Sequence, residues 1–272
     1  MLRGIVHRFA RKTVDIFFSP VYNYSVGKHC PQGAEYFFRE VTMPVREWQS
    51  REAALIGEEN IEKLARASVL VFGAGGVGSY VIESLARAGI GRITVVDGDR
   101  VAESNINRQL IADTTTVGRY KSEVAAERVK RINPDCTAVS VPLFADASNT
   151  AEIIASAAPD FIADAIDCVT TKLLVAEYAA EHGIPLISSM GTGNKLDPSL
   201  LDISDISKTS VCPLARVMRR ELRQRGITRL PVLFSTEQPV RTGMRTPASI
   251  SFVPSVGGLM IGGYIVRKII GK

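Results

Sequence analysis

The run Gly73-Ala74-Gly75-Gly76-Val77-Gly78-Ser79 constrains this chain more than any other segment. It follows the apolar, β-branched stretch Ser68-Val-Leu-Val-Phe72 and opens a helical pattern over Val77 to Ala88. A glycine-rich turn between a strand and a helix lets backbone amides at the helix N-terminus face phosphate oxygens at close range. Nineteen residues beyond Gly78, Asp97 ends the next β-like run, where a carboxylate can accept hydrogen bonds from ribose hydroxyls. Loop and carboxylate together predict a nucleotide site. They do not distinguish NAD from ATP.

The rest of the chain repeats this rhythm. Strands are predicted at SVLVF, ITVVD, TAVSV, FIADAI and PLISSM, with helices at Val77 to Ala88, Arg119 to Ile132, Thr150 to Ala157 and Thr170 to His182. Strand and helix in strict alternation predict an α/β, Rossmann-type fold: a mostly parallel sheet with helices on both faces. After Pro198 the pattern changes to a helix over Pro213 to Arg225, β-like runs near Val232 and Ser249, and a last helix from Ser255 to Ile270. This reads as a C-terminal extension of the sheet on the substrate side.

Residues 1–42 do not share the rhythm. They are rich in aromatics and carry six basic and three acidic side chains. They are expected to be an N-terminal extension, disordered or not part of the native protein, with the functional start at Met43. The folded domain is then expected to span 43–272, with a nucleotide-binding part over 47–190 and a substrate-side part over 191–272.

Cys30, Cys136, Cys168 and Cys212 are scattered, form no CxxC pair and have only three histidines beside them, so no structural zinc is expected. No secretory signal is evident, and the apolar stretch Val253 to Val266 is too short and glycine-rich to form a transmembrane segment. Its Gly257, Gly258, Gly262 and Gly263 predict close packing on another helix. A reducing, cytoplasmic location is expected.

The residues after Asp97 decide the nucleotide. Asp99 precedes the string Asn105-Ile-Asn107-Arg108-Gln109, and Lys121 follows. Adenylyl transfer to a carboxylate must neutralise a triphosphate while pyrophosphate departs, and Arg108 and Lys121 supply a rigid fork of donors and a compact charge. A dehydrogenase has no need of this set. Asp164-Ala-Ile-Asp167 ends a hydrophobic strand at its carboxyl edge, where ligands bind in open α/β sheets, and Asp167 is a candidate magnesium ligand. Taken alone, Arg51 also reads as a solvated helix-start residue, Asn107 and Arg108 as caps of a short helix, and Lys121 as surface charge. Asp164 reads as a structural or outer carboxylate.

GAGGVGS, Asp97, NINRQ, Lys121 and DAID together resemble the ubiquitin-activating-enzyme-like adenylating superfamily over roughly residues 47–272. The resemblance implies ATP and Mg2+ as cofactors. Gly73, Gly75, Gly76, Gly78, Asp97, Asp99, Asn107, Arg108, Gln109 and Lys121 would hold ATP, with Asp167 on magnesium. It also implies a homodimer in which Arg51, from the segment Ser50 to Gly57, reaches the partner's ATP site. Arg51, Arg108, Lys121 and Asp167 are then the catalytic set.

The C-terminal half resembles the tRNA threonylcarbamoyladenosine dehydratase branch. The residues that carry this likeness are Asp197-Pro198, Ser207-Lys208-Thr209, Cys212 to Arg223, Phe234-Ser-Thr-Glu237 and Ala248 to Gly258. The missing zinc motifs count against branches that activate proteins. The branch implies adenylation of the threonyl carboxylate of threonylcarbamoyladenosine in tRNA, followed by ring closure and loss of AMP. An adenylyltransferase for a sulfur-carrier or ubiquitin-like protein is the alternative, with a sulfur-transfer or redox protein as a possible partner. Charge placement supports tRNA independently: Ile203 to Ile250 holds nine basic and three acidic residues. Arg216, Arg219, Arg220 and Arg223 fall at helical spacing and are expected to form one stripe along a phosphate backbone. Cys212 is expected to be structural or redox-sensitive rather than covalent.

Overall fold

The computed structural model describes residues 45–244 and 246–272. The extension over residues 1–42 and the start at Met43 lie outside the described residues. Two helices, α1 (Ser50–Ile56) and α2 (Glu58–Arg66), precede β1 (Ser68–Phe72). Then follow α3 (Gly78–Arg87), β2 (Arg92–Val96), α4 (Lys121–Ile132), β3 (Thr137–Val141), α5 (Thr150–Ala157), β4 (Phe161–Asp164), α6 (Val169–His182) and β5 (Leu186–Ser189). The chain ends with β6 (Leu201–Asp205), α7 (Pro213–Gln224), β7 (Pro231–Ser235) and α8 (Phe252–Ile269).

Among the described residues the strands form one seven-stranded sheet in the order β3-β2-β1-β4-β5-β7-β6. Every pairing is parallel except β6 against β7. The central strands are buried on both faces, as continuous Val, Ile and Leu runs require. Successive side chains of β1 go to opposite sides. Val69 and Val71 join Val81 and Leu85 of α3 and Val124 of α4. Leu70 and Phe72 join Ile154 of α5, Val175 of α6 and Met218 of α7. Helices therefore cover both faces, as the strand and helix rhythm predicts.

The C-terminal part departs from expectation at one strand. The run near Ser249 is not a strand; it contains Pro247, which cannot donate to a ladder, and lies exposed or half-buried. The seventh strand is Leu201–Asp205 instead, paired antiparallel to β7 with Leu201 opposite Ser235. Leu201 and Ile203 pack on the core while Asp202 between them is exposed, so this edge strand shows period-2 alternation. The glycine helix α8 packs on α3. A Cβ on Gly258 would stand 2.4 Å from Val77 O, and one on Gly262 would stand 1.8 Å from Ser84 Oγ. Among the described residues no helix is long and apolar enough to cross a membrane.

Candidate functional site

β1 and β4 are neighbours, with Phe72 opposite Asp164 at their carboxyl ends. From β1 the chain turns to α3 on one face, and from β4 to α6 on the other. Such a divergence leaves a crevice beyond the strand ends. A cavity of about 770 Å³ opens there.

One wall is the glycine loop. Gly73 has φ +90°, a conformation costly for other residues, and a Cβ there would lie 2.8 Å from Ala165 O. Gly73, Gly75 and Gly76 line the cavity. Gly78 does not: it opens α3 behind the loop, where a Cβ would meet Gly73 O at 1.9 Å. A side chain at this position would therefore collide with the turn, and Gly78 lies behind the cavity wall rather than in it. Asp97 braces the loop, its Oδ2 accepting from Ala74 N at 2.7 Å and its Oδ1 from Asp99 N at 2.9 Å. Burial raises its pKa despite these donors. Each oxygen keeps a second lone pair for a ribose hydroxyl.

The segment after β2 returns to the same cavity. Arg100 pairs with Tyr120 in an isolated antiparallel bridge and lies over its ring at 3.8 Å, which brings Asp99 against Lys121. Lys121 Nζ donates to Asp99 Oδ2 at 2.8 Å, with only 8% of the lysine side chain exposed. Lys121 is thus a cavity residue and not surface charge. Arg108 lines the cavity with its Nη1 fixed by Ser104 O at 2.9 Å and Asn107 Oδ1 at 2.8 Å. Gln109 is buried, and among the described residues its Oε1 has no partner. An unpaired buried amide in a cavity wall suits a polar ligand.

Asn107 is placed differently from the sequence reading. It is exposed, is not among the residues lining the cavity, and joins Arg108 to Ser249 O at 3.1 Å. In this structure its Oδ1 accepts from the arginine. Asn105, which the sequence reading passed over, is the asparagine that lines the cavity, buried with its Oδ1 accepting from Ala102 N.

β4 stops at Asp164, so Ala165, Ile166 and Asp167 leave the sheet and enter the cavity wall. Asp164 is buried beneath them, its Oδ2 2.9 Å from Lys172 Nζ and 2.6 Å from Ser188 Oγ. Lys172 Nζ also donates to Ser188 Oγ and Ser189 O, so all three of its protons are used. Ile166 N donates to Asp164 Oδ1 at 3.2 Å, which ties the loop to this buried pair. Asp167 is exposed, and among the described residues no ion pair engages it. A lone carboxylate with no clustered His, Cys, Asp or Glu partners suits magnesium, whose remaining sites are filled by phosphate oxygens and water. Lys172 had no motif to mark it.

Other expected residues lie apart. Arg51 is exposed on α1 and does not line its own chain's cavity. On α7, Arg216, Arg220 and Arg223 are exposed, but Arg219 is half-buried and its Nη1 donates to Thr209 Oγ1 at 2.6 Å and Thr209 O at 3.0 Å. Arg219 therefore secures the turn before α7 and leaves the stripe, a correction to the expected four-arginine row. Cys212 is buried, with its sulfur 3.8 Å from a Cβ placed on Gly191. Cys168 is exposed at the cavity, and hydrogen bonding from Thr171 lowers its pKa.

The family model for the ThiF family matches residues 49–272. The chain belongs to the ThiF family. It is similar to the tRNA threonylcarbamoyladenosine dehydratase of Bacillus subtilis (strain 168), with 39% identity over 81% of this chain and 94% of that one. The Escherichia coli (strain K12) protein of the same name is 38% identical over 70% of this chain and 75% of that one. The crystal structure of E. coli tRNA N6-threonylcarbamoyladenosine dehydratase in complex with ATP superimposes with a TM-score of 0.78 at 34% identity, covering 84% of this chain and 98% of that one. Its AMP complex gives the same score.

Proposed function

We propose that this chain uses ATP to adenylate the threonyl carboxylate of threonylcarbamoyladenosine in tRNA and then closes that group into a dehydrated ring. The carboxylate oxygen attacks the α-phosphorus and pyrophosphate departs. The carbamoyl oxygen then attacks the activated carbonyl, a carbamoyl nitrogen releases its proton to water as the C=N bond forms, and AMP leaves with the former carboxylate oxygen. The nucleophile of the second step belongs to the substrate itself, so proximity replaces a protein nucleophile.

The chain's own residues supply positioning and charge balance. Gly73, Gly75 and Gly76 admit the phosphates, Asp97 and Gln109 address the nucleoside, and Arg108 and Lys121 face the charge that develops on pyrophosphate. Asp167 would hold Mg2+, which when bound neutralises the triphosphate. The match along nearly the whole of a relative named for this reaction, with Arg108, Lys121 and Asp167 on one cavity at the sheet's switch point, supports the reading.

In this reading residues 43–272 form the adenylating domain, divided near residue 190 into ATP-binding and substrate-side parts. Two copies pair, Arg51 of each reaching the partner's ATP site. Arg216, Arg220 and Arg223 follow the tRNA backbone. Incubated with ATP and Mg2+, the protein should form AMP in the presence of tRNA carrying threonylcarbamoyladenosine and none with unmodified tRNA. AMP formation driven instead by a small protein ending in two glycines would overturn the substrate.

A further inference from the structure

Residues 236–244 and 246–251, between β7 and α8, are mostly exposed, yet Thr246, Pro247 and Ser249 line the cavity. A segment this long with little apolar burial needs hydrogen bonds to hold one conformation against its entropy. It is held from two sides. On the substrate side, Asn194 N donates to Ala248 O at 2.7 Å, Asn194 Oδ1 accepts from Ala248 N at 2.7 Å, and Asn194 O accepts from Val240 N at 2.8 Å. Asn194 reaches both limbs of the loop from a left-handed backbone, φ 58°, which asparagine adopts more readily than most residues. Lys195, buried, donates to Glu237 O at 2.9 Å. The Glu237 carboxylate in turn accepts from Leu196 N and Asp197 N at 2.9 to 3.1 Å. Gly193 permits the approach, since a Cβ there would stand 2.8 Å from Pro247 Cβ.

The second anchor is Asn107, which donates to Ser249 O from the turn that carries Arg108. The loop thus bridges the two halves of the cavity. The glycine loop, Asp97 and Lys121 form the nucleotide wall, while residues 189–193 and the clamped loop form the wall facing it. Resting on the function proposed above, we propose that Asn194, Lys195 and Glu237 are positioning residues that clamp the limbs 236–244 and 246–251 as the wall receiving the carboxylate-bearing nucleoside. A clamp of this kind orients the nucleoside toward ATP without touching ATP, so its loss is felt in the use of tRNA alone.

Asn194→Gly tests this, because glycine keeps the left-handed backbone and removes only the Oδ1 acceptor. Loss of one such bond raises the KM for modified tRNA about three- to tenfold. The Kd for ATP without tRNA stays at the wild-type value, the melting temperature falls by no more than a few degrees, and Asn194→Asp, which restores the acceptor, recovers the KM. An unchanged KM, or ATP affinity lost in parallel, would overturn the proposal. Hydrogen exchange at the Val240 and Ala248 amides, read without any substrate, separates the clamp from the function. Faster exchange in Asn194→Gly than in wild type is expected, and equal protection refutes the clamp whatever the enzyme acts on. Wild-type protein that leaves threonylcarbamoyladenosine unchanged while Asn194→Gly shows faster exchange overturns the substrate and hence the wall's assignment to that nucleoside.

Discussion

Lys172 and Asp164 form a fully buried ion pair, Nζ to Oδ2 2.9 Å, directly beneath the loop that carries Asp167 into the cavity. Burying two charges is costly, and the pair is sustained because every proton of Lys172 has an acceptor and Asp164 also receives Ser188 Oγ and Ile166 N. Lys172→Met leaves the carboxylate stranded and should destabilise the protein by about 3–5 kcal/mol in urea unfolding. The double variant Lys172→Met, Asp164→Asn removes the stranded charge and should be more stable than the single one. A double variant no better than Lys172→Met would contradict this account.

How far the site could be read in advance follows from where each signal resides. The glycine loop, the strand and helix alternation, and the carboxyl-edge position of Asp167 are local patterns, and each carries its own geometry. Lys172 is written as one lysine in an unremarkable helix; only the fold brings it under β4 and β5. Leu201–Asp205 is short, and its pairing partner lies some thirty residues on, so its strand character depends on a tertiary contact. Asn105 and Asn107 sit two apart in one string, and the turn at residues 103–105 decides which of them faces the cavity. Arg219 shares a helical spacing with its neighbours, but the preceding turn supplies acceptors that claim it.

The proposed sharing of each site between two copies of the chain can be tested by complementation. Arg51→Ala and Arg108→Ala should each abolish ATP-dependent AMP formation. Mixed and allowed to exchange subunits, they should restore up to about a quarter of wild-type activity, because a heterodimer holds one intact site per two chains, by closed two-fold symmetry. No recovery on mixing would place Arg51 in its own chain's site or outside catalysis.

The arginines of α7 should separate by role. If the tRNA backbone follows α7 as proposed, Arg216→Ala, Arg220→Ala and Arg223→Ala should each lower the steepness of log affinity against log salt by about one in tRNA binding titrations. Arg219→Ala should leave that slope unchanged and lower the melting temperature, since it unties the turn at Thr209. Equal salt slopes in all four variants would contradict the assignment.

Thiol chemistry reports the cavity. Burial pushes the Cys136 pKa up to about 11, so at pH 7.5 it is almost wholly protonated and slow to alkylate. Cys168 is exposed, and its lowered pKa gives it more thiolate at the same pH. Mass spectrometry after brief iodoacetamide treatment should find Cys168 labelled well before Cys136, and ATP should protect Cys168. Labelling of Cys168 that ATP leaves unaffected would place the nucleotide elsewhere.

The most direct test follows the nucleoside. tRNA carrying threonylcarbamoyladenosine is incubated with the protein, ATP and Mg2+, digested and resolved by mass spectrometry. The account predicts loss of the mass of one water from the modified adenosine, with one AMP formed for each nucleoside converted. An unchanged nucleoside alongside AMP made with another acceptor would contradict it.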